Sequence, residues 1–580
     1  MRSVVRAATA RGAAAARRPV VWLAAGVVAV LVLLVALPLG GLVRATVGPG
    51  ADGAWGDVAS GPLADALLWQ PLRGSLLVGL GTGVLATVLG AFLAWVVVLS
   101  DVPGRKVIGV LAAVPFALPS FALALAWETV FRNDRVGGNP GLLAALGVAV
   151  PDWLAWGPVP VVLTLVAHYF SLSYLVIAAA LANVGGDVVA AAELTGASRL
   201  RVATRIVLPS VAPAVLSGFL LAFAEGVSNF AVPALLGLPV RFQTLSTRLY
   251  GAISTGDAER GYVLSIVLVV VAGLVLLVGN RLTAGRSYST ITGKATRARL
   301  VRTGAARLPL AALAWALVAA TAVVPGVVLA LSTVLRRSGS LDGGLTWHYW
   351  VGESDPSVAQ GLRGVLRDPT VLDALGGTLR LGVVVAVCAV VLGALAAAVL
   401  RALPRARALH ATVGLLGYVP FLIPGVALGA AVIAQFGAPT GPLPALYGTF
   451  AILVLAGVAA SLPFALQTAR AAFGQVSREL DEAAVLTGAV APRRFARITL
   501  PLVSRGLANG AVLVFVTMVR DLSVVVLLVT PATPLLSMTT FRYASEGFTQ
   551  HANAITLVIA LIAVTATLLA RRLEPGRKES

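Results

Sequence analysis

Glu225 and Asn229 stand four residues apart in the apolar run 211–236, and 292 residues later Thr517 and Asp521 repeat that spacing in the run 506–530, with Arg520 beside Asp521. Ionisable and amide groups inside such runs are costly unless partnered, and they serve either to line a path or to hold helices together. The residues alone leave both readings open. Neighbours in sequence do not face each other on a helix, so Arg520 and Asp521 each need a different partner. Other reactive chemistry is sparse. A single cysteine, Cys388, excludes an intrachain disulfide, and the four scattered histidines have no metal-ligand spacing. His168 reads as a bundle histidine rather than a ligand. No clustered His/Asp/Glu or Ser/Lys set suggests catalysis, and no G-x-x-x-x-G-K-[ST] segment occurs that could cradle nucleotide phosphates. Neither a catalytic nor a metal site is expected.

A second group of charged residues lies in a polar segment that occurs twice. Residues 189–209 read VAAAELTGASRLRVATRIVLP and residues 481–501 read DEAAVLTGAVAPRRFARITLP. The offset of 292 lays Leu194-Thr195-Gly196-Ala197 on Leu486-Thr487-Gly488-Ala489, and Ile206, Leu208 and Pro209 on Ile498, Leu500 and Pro501. ELDEAAVLTGA, from Glu479, suits a helix: Ser477 can cap it, and Glu479, Asp481 and Glu482 complement the positive end of its dipole. Leu480, Ala484 and Gly488 share one stripe, as do Val188, Ala192 and Gly196. Small residues there permit close approach by another surface. Glycine then ends the helix, and Pro209 or Pro501 opens the return to an apolar run.

These segments sit in a chain of 580 residues that is 58% hydrophobic and only 12% charged, with mean hydropathy +0.93. Soluble proteins carry about 25% charged residues, so the chain belongs in a membrane. Runs of roughly 20 apolar residues occur near 20–43, 75–99, 108–131, 160–184, 211–236, 262–280, 309–334, 376–400, 411–435, 446–468, 506–530 and 553–571. They predict an all-α polytopic membrane protein of about 12 transmembrane helices. The first run exceeds the ~7–15 residues of a cleaved signal and reads as a retained signal-anchor. Most of the 44 Lys and Arg fall on alternate loops. The positive-inside rule then places both termini in the cytoplasm of a multi-pass plasma-membrane protein. It also accounts for the net charge of +20, which needs no nucleic-acid partner.

Both polar segments fall on the cytoplasmic side, each between the fourth and fifth helices of a six-helix half. PFALPSFALALAWETVF (115–131) matches PFLIPGVALGAAVIAQF (420–436) at an offset of 305, and LSTRLY (245–250) echoes LSMTTFRY (536–543). The halves therefore read as parallel repeats. Pro119 and Pro424 are expected to kink the third helix of each half. The domain reading has a cytoplasmic N-terminus, first helix and outside loop (1–69), a first transmembrane domain (70–281), and a basic linker, seventh helix and outside loop (282–372). A second transmembrane domain (373–572) and a short tail (573–580) complete it.

EAAVLTG…ITLP (482–488, 498–501) resembles the EAA loop of binding-protein-dependent ATP-binding cassette (ABC) importer permeases of type I. The resemblance implies a coupling helix seated in a cleft of a cytoplasmic ATPase. Glu482, Ala483, Ala484, Gly488, Ile498, Leu500 and Pro501 fit that pattern. The first copy keeps Ala191, Ala192, Gly196, Ile206, Leu208 and Pro209 but has Ala190 in place of the glutamate. Asp187 or Glu193 could supply its acidic contact, or it lacks one. Two halves in one chain, SYSTITGKATR (287–297) and MVRDL (518–522) further resemble fused iron(III)-type permeases, a group with thiamine and aminoethylphosphonate relatives. That group commonly has Glu where Asp521 stands.

The resemblance implies a transport subunit that binds no cofactor and takes its energy from ATP used by two separate ABC ATPase subunits. An extracytoplasmic binding protein would deliver the substrate, and the halves would alternate between inward and outward access. Iron(III) is the expected substrate, on the fused halves and late motifs. Glu225 and Asp521 suit a cation, whereas Arg520 suits an organic anion or zwitterion. An ion-coupled secondary transporter is the competing class; it would share repeats and buried charges but has no need of twin EAA segments.

Overall fold

The computed structural model describes residues 19–48, 53–184, 192, 194–283, 303–439, 444–477, 479–480 and 491–572. The apolar runs become helices α1 Pro19–Val47, α2 Asp65–Leu99, α3 Arg105–Ala117, α4 Ser120–Phe131, α5 Asp152–Ala182 and α6 Thr204–Ser228. There follow α7 Ala231–Leu236, α8 Leu245–Ser254, α9 Ala258–Thr283 and α10 Gly304–Ser332. The later helices are α11 Pro369–Ala402, α12 Arg407–Leu422, α13 Gly425–Phe436, α14 Phe450–Gly474 and α15 Phe495–Arg520. Helices α16 Leu536–Ser545 and α17 Thr549–Arg572 end the described chain. Between α10 and α11 lies an antiparallel hairpin, β1 Leu335–Arg337 and β2 Ser340–Leu345. At its turn Gly339 has φ +73°, and a Cβ there would lie 1.8 Å from the Pro140 carbonyl oxygen, so only glycine serves.

The fold is all-α and polytopic. Among the described residues ten helices are long and apolar enough to cross a membrane, and twelve crossings result if each of two bent pairs counts as one. The expected third helices are not kinked but broken: α3 and α4 meet at 97°, and α12 and α13 at 115°. The residue before each proline, Leu118 or Ile423, is pushed into an extended conformation. The expected fifth runs are shorter too. Instead of continuing to 236 and 530, α6 stops at Ser228 and α15 at Arg520.

Five other prolines leave their helices continuous by one device. Wide π-turns occupy 32–36, 65–69, 203–207, 319–323 and 495–499. Each stops two residues short of a proline: Pro38, Pro71, Pro209, Pro325 and Pro501. A proline ring clashes with the carbonyl four residues back, and an i→i−5 turn opens the helix there. Pro209 and Pro501 thus lie inside the helices that leave the polar segments, rather than opening them as the sequence suggested.

Two compact units emerge, and they do not follow chain order: one holds residues 1–50, 373–536 and 561–580, the other 51–372 and 537–560. In the first, α1 packs on α13, and a Cβ on Gly41 would sit 2.9 Å from the Gln435 Cβ. In the second, α10 packs on α4. The start of α10 is tied down by Asp101, whose carboxylate accepts from Thr303 N (3.0 Å) and Thr303 Oγ1 (2.6 Å). The helix that precedes each half therefore packs with the second limb of the other half's broken third segment.

Inside each unit the repeat is visible atom by atom. Gly79 lets α2 approach Phe223 and Val227 of α6, and Gly382 lets α11 approach Phe515 and Val519 of α15. Leu245 N donates to Ser75 Oγ (2.8 Å) just as Leu536 N donates to Thr378 Oγ1 (2.9 Å). Glycines and hydroxyls at these crossings let apolar helices pack closely where water cannot help.

The broken pairs decide topology. If each crosses once, positions 200 and 492 follow four and ten crossings and share a face; if each turns back, they follow three and eight and lie on opposite faces. In a Cys388→Ala background, single cysteines at 200 and 492 are expected to react with a membrane-impermeant maleimide from the same side, and one at 350 from the other. Labelling of 200 and 492 from opposite sides would make the halves inverted repeats.

Candidate translocation and coupling sites

The broken third and fifth segments meet in each half. Pro119 and Pro424, both buried, precede the second limb of their pairs with extended backbones (φ −63°, ψ 145° and φ −53°, ψ 138°). Asn229 and Asp521 follow the ends of α6 and α15 with matching backbones (φ −66°, ψ 129° and φ −74°, ψ 132°). Each side chain then caps the next turn: Asn229 Oδ1 accepts from Val232 N at 3.0 Å, and Asp521 Oδ1 accepts from Val524 N at 2.8 Å. The Asn229 amide also donates to Ser120 Oγ and Tyr169 Oη, both at 3.0 Å, which ties α4 and α5 to the break.

Chemistry explains why one half has an amide and the other an acid. At the offset of 305 that relates the broken pairs, Ser120 becomes Gly425, and at the offset of 292 that relates the later segments, Tyr169 becomes Ser461. A Cβ on Gly425 would lie 2.9 Å from Ser523 Cβ and 3.1 Å from Val524 N, so bare backbone packs where the first half uses a hydroxyl. An acceptor is all the cap needs there, and a carboxylate supplies it. For Asn229 and Asp521, holding the helix breaks accounts for the conserved spacing seen in the two halves. Glu225 and Arg520 are half-buried in the last turns of α6 and α15, and Thr517 donates to Leu513 O at 2.8 Å.

The echo between LSTRLY and LSMTTFRY also has a structural meaning. At an offset of 291, Tyr250 on α8 corresponds to Phe541 on α16, and the two rings meet edge to face with centroids 6.4 Å apart. Phe230, fully buried just after the α6 break, packs on both, at 4.8 Å from Tyr250 and 5.4 Å from Phe541. A repeated position thus touches its own counterpart inside the unit that holds residues 51–372 and 537–560, and an aromatic cluster forms there. Sequence reading found the echo but not this contact, because nothing in one helix indicates that it meets its equivalent.

Of the coupling-segment residues, Asp187, Ala191, Glu193, Glu482, Ala483 and Gly488 lie outside the described residues. Gly196 is exposed at φ +80°, and Ala197 N donates to Ala192 O at 3.0 Å, the bond of a Schellman helix end. Thr195 Oγ1 donates to the same carbonyl at 2.9 Å. A Cβ on Gly196 would meet nothing within 4 Å, so this chain requires glycine for its conformation and not for space. Leu194 beside it is 89% exposed. Glu479 is exposed at the start of the second copy. Upstream of it, Arg401 of α11 donates to Phe473 O (2.7 Å), Val476 O (2.8 Å) and Ser477 O (3.2 Å). That guanidinium closes the carbonyl end of α14 where the second segment begins; an arginine at a helix end gave no cue to it in the sequence.

A family profile described as binding-protein-dependent transport system inner membrane component matches twice, at residues 86–284 and 389–579. A probable ABC transporter permease protein y4fN of Sinorhizobium fredii is 28% identical over 73% of this chain and 73% of its own length. Ferric transport system permease protein FbpB of Actinobacillus pleuropneumoniae is 22% identical over 87% of this chain and 71% of its own. Sulfate transport system permease protein CysT of Synechocystis is 25% identical over 45% of this chain and 88% of its own.

The paired caps are open to test by thermal unfolding in detergent. Asp521→Asn keeps an acceptor for Val524 N and is expected to unfold close to the parent. Asp521→Ala removes it and should lose about 1 kcal/mol. Asn229→Ala, which also removes the bonds to Ser120 and Tyr169, should lose more, roughly 2–3 kcal/mol. Equal melting of Asp521→Asn and Asp521→Ala would show that the carboxylate does something other than cap.

Proposed function

The chain belongs to the family of binding-protein-dependent transport system inner membrane components, as a multi-pass ABC importer permease, and on that premise we propose that it moves an iron(III) species inward. The observation that carries the substrate reading is coverage. The ferric relative matches along 87% of this chain, through both fused halves, whereas the sulfate relative matches 45%. A sulfate-type oxyanion is the second reading, favoured by those half-length relatives.

The energy source follows from what the residues can bind. Without a phosphate-cradling loop, the permease depends on ATP used by two partner ATPase subunits, one at each polar segment. Closure of the ATPases draws the two coupling helices together and rocks the halves between inward and outward access. Asp187, Ala191, Glu193 and Gly196 form the first coupling site, and Glu479, Glu482, Ala483 and Gly488 the second. Arg401 acts through α14 as the positioning residue of the second. An extracytoplasmic binding protein delivers the substrate. Glu225, Asn229, Thr517, Arg520 and Asp521, with the breaks at Pro119 and Pro424, border the path, where unwound backbone can face a solute. Charges of both signs among these residues suit weak, transient binding, which release requires.

Uptake of labelled iron(III) and labelled sulfate by cells with and without the permease separates the two substrates. Iron uptake lost on deletion with sulfate uptake unchanged is expected; the reverse result would transfer the substrate to sulfate and leave the importer assignment intact.

Coupling has its own test. Gly488→Asp is expected to reach the membrane yet transport at a small fraction of the parent rate. Gly196→Asn, which tolerates a left-handed backbone, should retain more transport than Gly196→Ala. Undiminished transport by all three variants would remove the polar segments from the coupling mechanism.

A further inference from the structure

The unit that holds residues 51–372 has a cleft at the end of its bundle opposite the segment around Gly196. Gln70, Arg73, Arg241, Phe242, Gln243 and Arg248 line it. Its position follows from α5, whose start is fixed there by Gly157 N donating to Leu236 O at 2.8 Å, and whose far end leads to the polar segment. Three guanidinium groups line the cleft, and no carboxylate among the described residues does. Asp65, the nearest acid, is 3.9 Å from Arg73 and accepts from Gln70 Nε2 at 2.6 Å.

The wall that carries these arginines is rigid. Gly74 lets α2 touch the backbone of the following turn, since a Cβ there would lie 2.2 Å from Gln243 O. Leu245 N is bonded to Ser75 Oγ, and Thr244 and Thr247 form a reciprocal cap at the start of α8. Arg241 is held in a left-handed conformation (φ +62°), with its N–H on Leu238 O at 2.9 Å and the next N–H on Gly237 O at 3.0 Å. A side chain at such a position is uncommon, and strained backbone of this kind gathers at ligand sites. Arg248 is half-buried, and its Nε is buried with no hydrogen-bond partner among the described residues. A buried guanidinium N–H without an acceptor is unfavourable until a ligand supplies one.

The fold does not require this charge. The repeat has Gly376, Ala532 and Thr539 where Arg73, Arg241 and Arg248 stand. It nevertheless keeps the same close approach, Gly377 to Pro534 O, and the same bond from Leu536 N to Thr378 Oγ1. One half thus sets three arginines on a scaffold where the other half has none at those three positions and has Arg380 in place of Leu77.

We propose that this cleft binds a phosphate- or sulfate-type oxyanion, presented by a free solute or by a phospholipid headgroup. Arginine forks match the spacing of such oxygens, and the open mouth admits a group of that size. The proposal is independent of which solute is transported.

Two binding arms separate the sources, both on the full chain. Equilibrium dialysis of delipidated protein in neutral detergent against labelled sulfate and labelled phosphate reads free-solute binding. Native mass spectrometry of protein taken from phosphatidylglycerol or phosphatidylcholine nanodiscs reads retained headgroups. Saturable binding in either arm, weakened tenfold or more by both Arg248→Gln and Arg73→Gln, is expected, because each removes a charge-assisted bond. Arg73 is exposed, so its variant keeps the test valid if Arg248→Gln fails to fold. Absence of parent binding in both arms, or binding that the variants retain, overturns the site. Variants that weaken only the affinity of an extracytoplasmic binding protein also overturn it, and turn the cleft into a docking surface for that protein.

Discussion

A peptide N–H inside hydrocarbon has no water to fall back on, so every interruption of a membrane helix must be bonded by the protein itself. The structure is arranged around two such interruptions per half. Pro119 and Pro424 open the third segments, and Asn229 and Asp521 close the wound in the fifth. One side-chain oxygen in each half receives the N–H that would otherwise be stranded, three residues on. Around this bond the remaining features fall into place. The glycine crossings bring the fifth segment against the second, and the aromatic cluster of Phe230, Tyr250 and Phe541 begins one residue past the first break.

The same economy governs the prolines that do not break helices. A π-turn before Pro209 or Pro501 keeps the chain helical while it re-enters the apolar layer. The two classes of proline look alike in sequence. They differ in what faces them: Pro119 has a polar partner waiting on another segment, through Ser120 and Asn229, whereas Pro209 is accommodated inside its own helix.

Much of this was legible in the residues. Composition and run length give the membrane class and the approximate count of helices, and constant offsets give the two halves. The spacing of Glu225 and Asn229 on Thr517 and Asp521 is repeated in the folded chain. What sequence could not supply is long-range. Hydropathy counts an apolar run whether it is straight or bent through a right angle, so 108–131 and 411–435 read as single helices. It also counts through Asn229 and Asp521, because one polar residue barely lowers a window average. The packing of α1 with α13 leaves no local trace, since a lipid-facing and a protein-facing leucine look the same. The acceptor carbonyls of Arg401 lie more than seventy residues away, and no motif links them.

The packing of α1 with α13 bears on how the chain is made. Gly41 meets Gln435, so during synthesis α1 waits for a partner nearly four hundred residues downstream. At roughly 5–20 residues per second of synthesis, that wait is on the order of 20–80 s. Throughout it α1 must rest in lipid or against an insertase with the face that later covers Gln435 unoccupied. Its neighbour in space is far from it in time, and the unit that α1 joins cannot be completed until the second half has been threaded in.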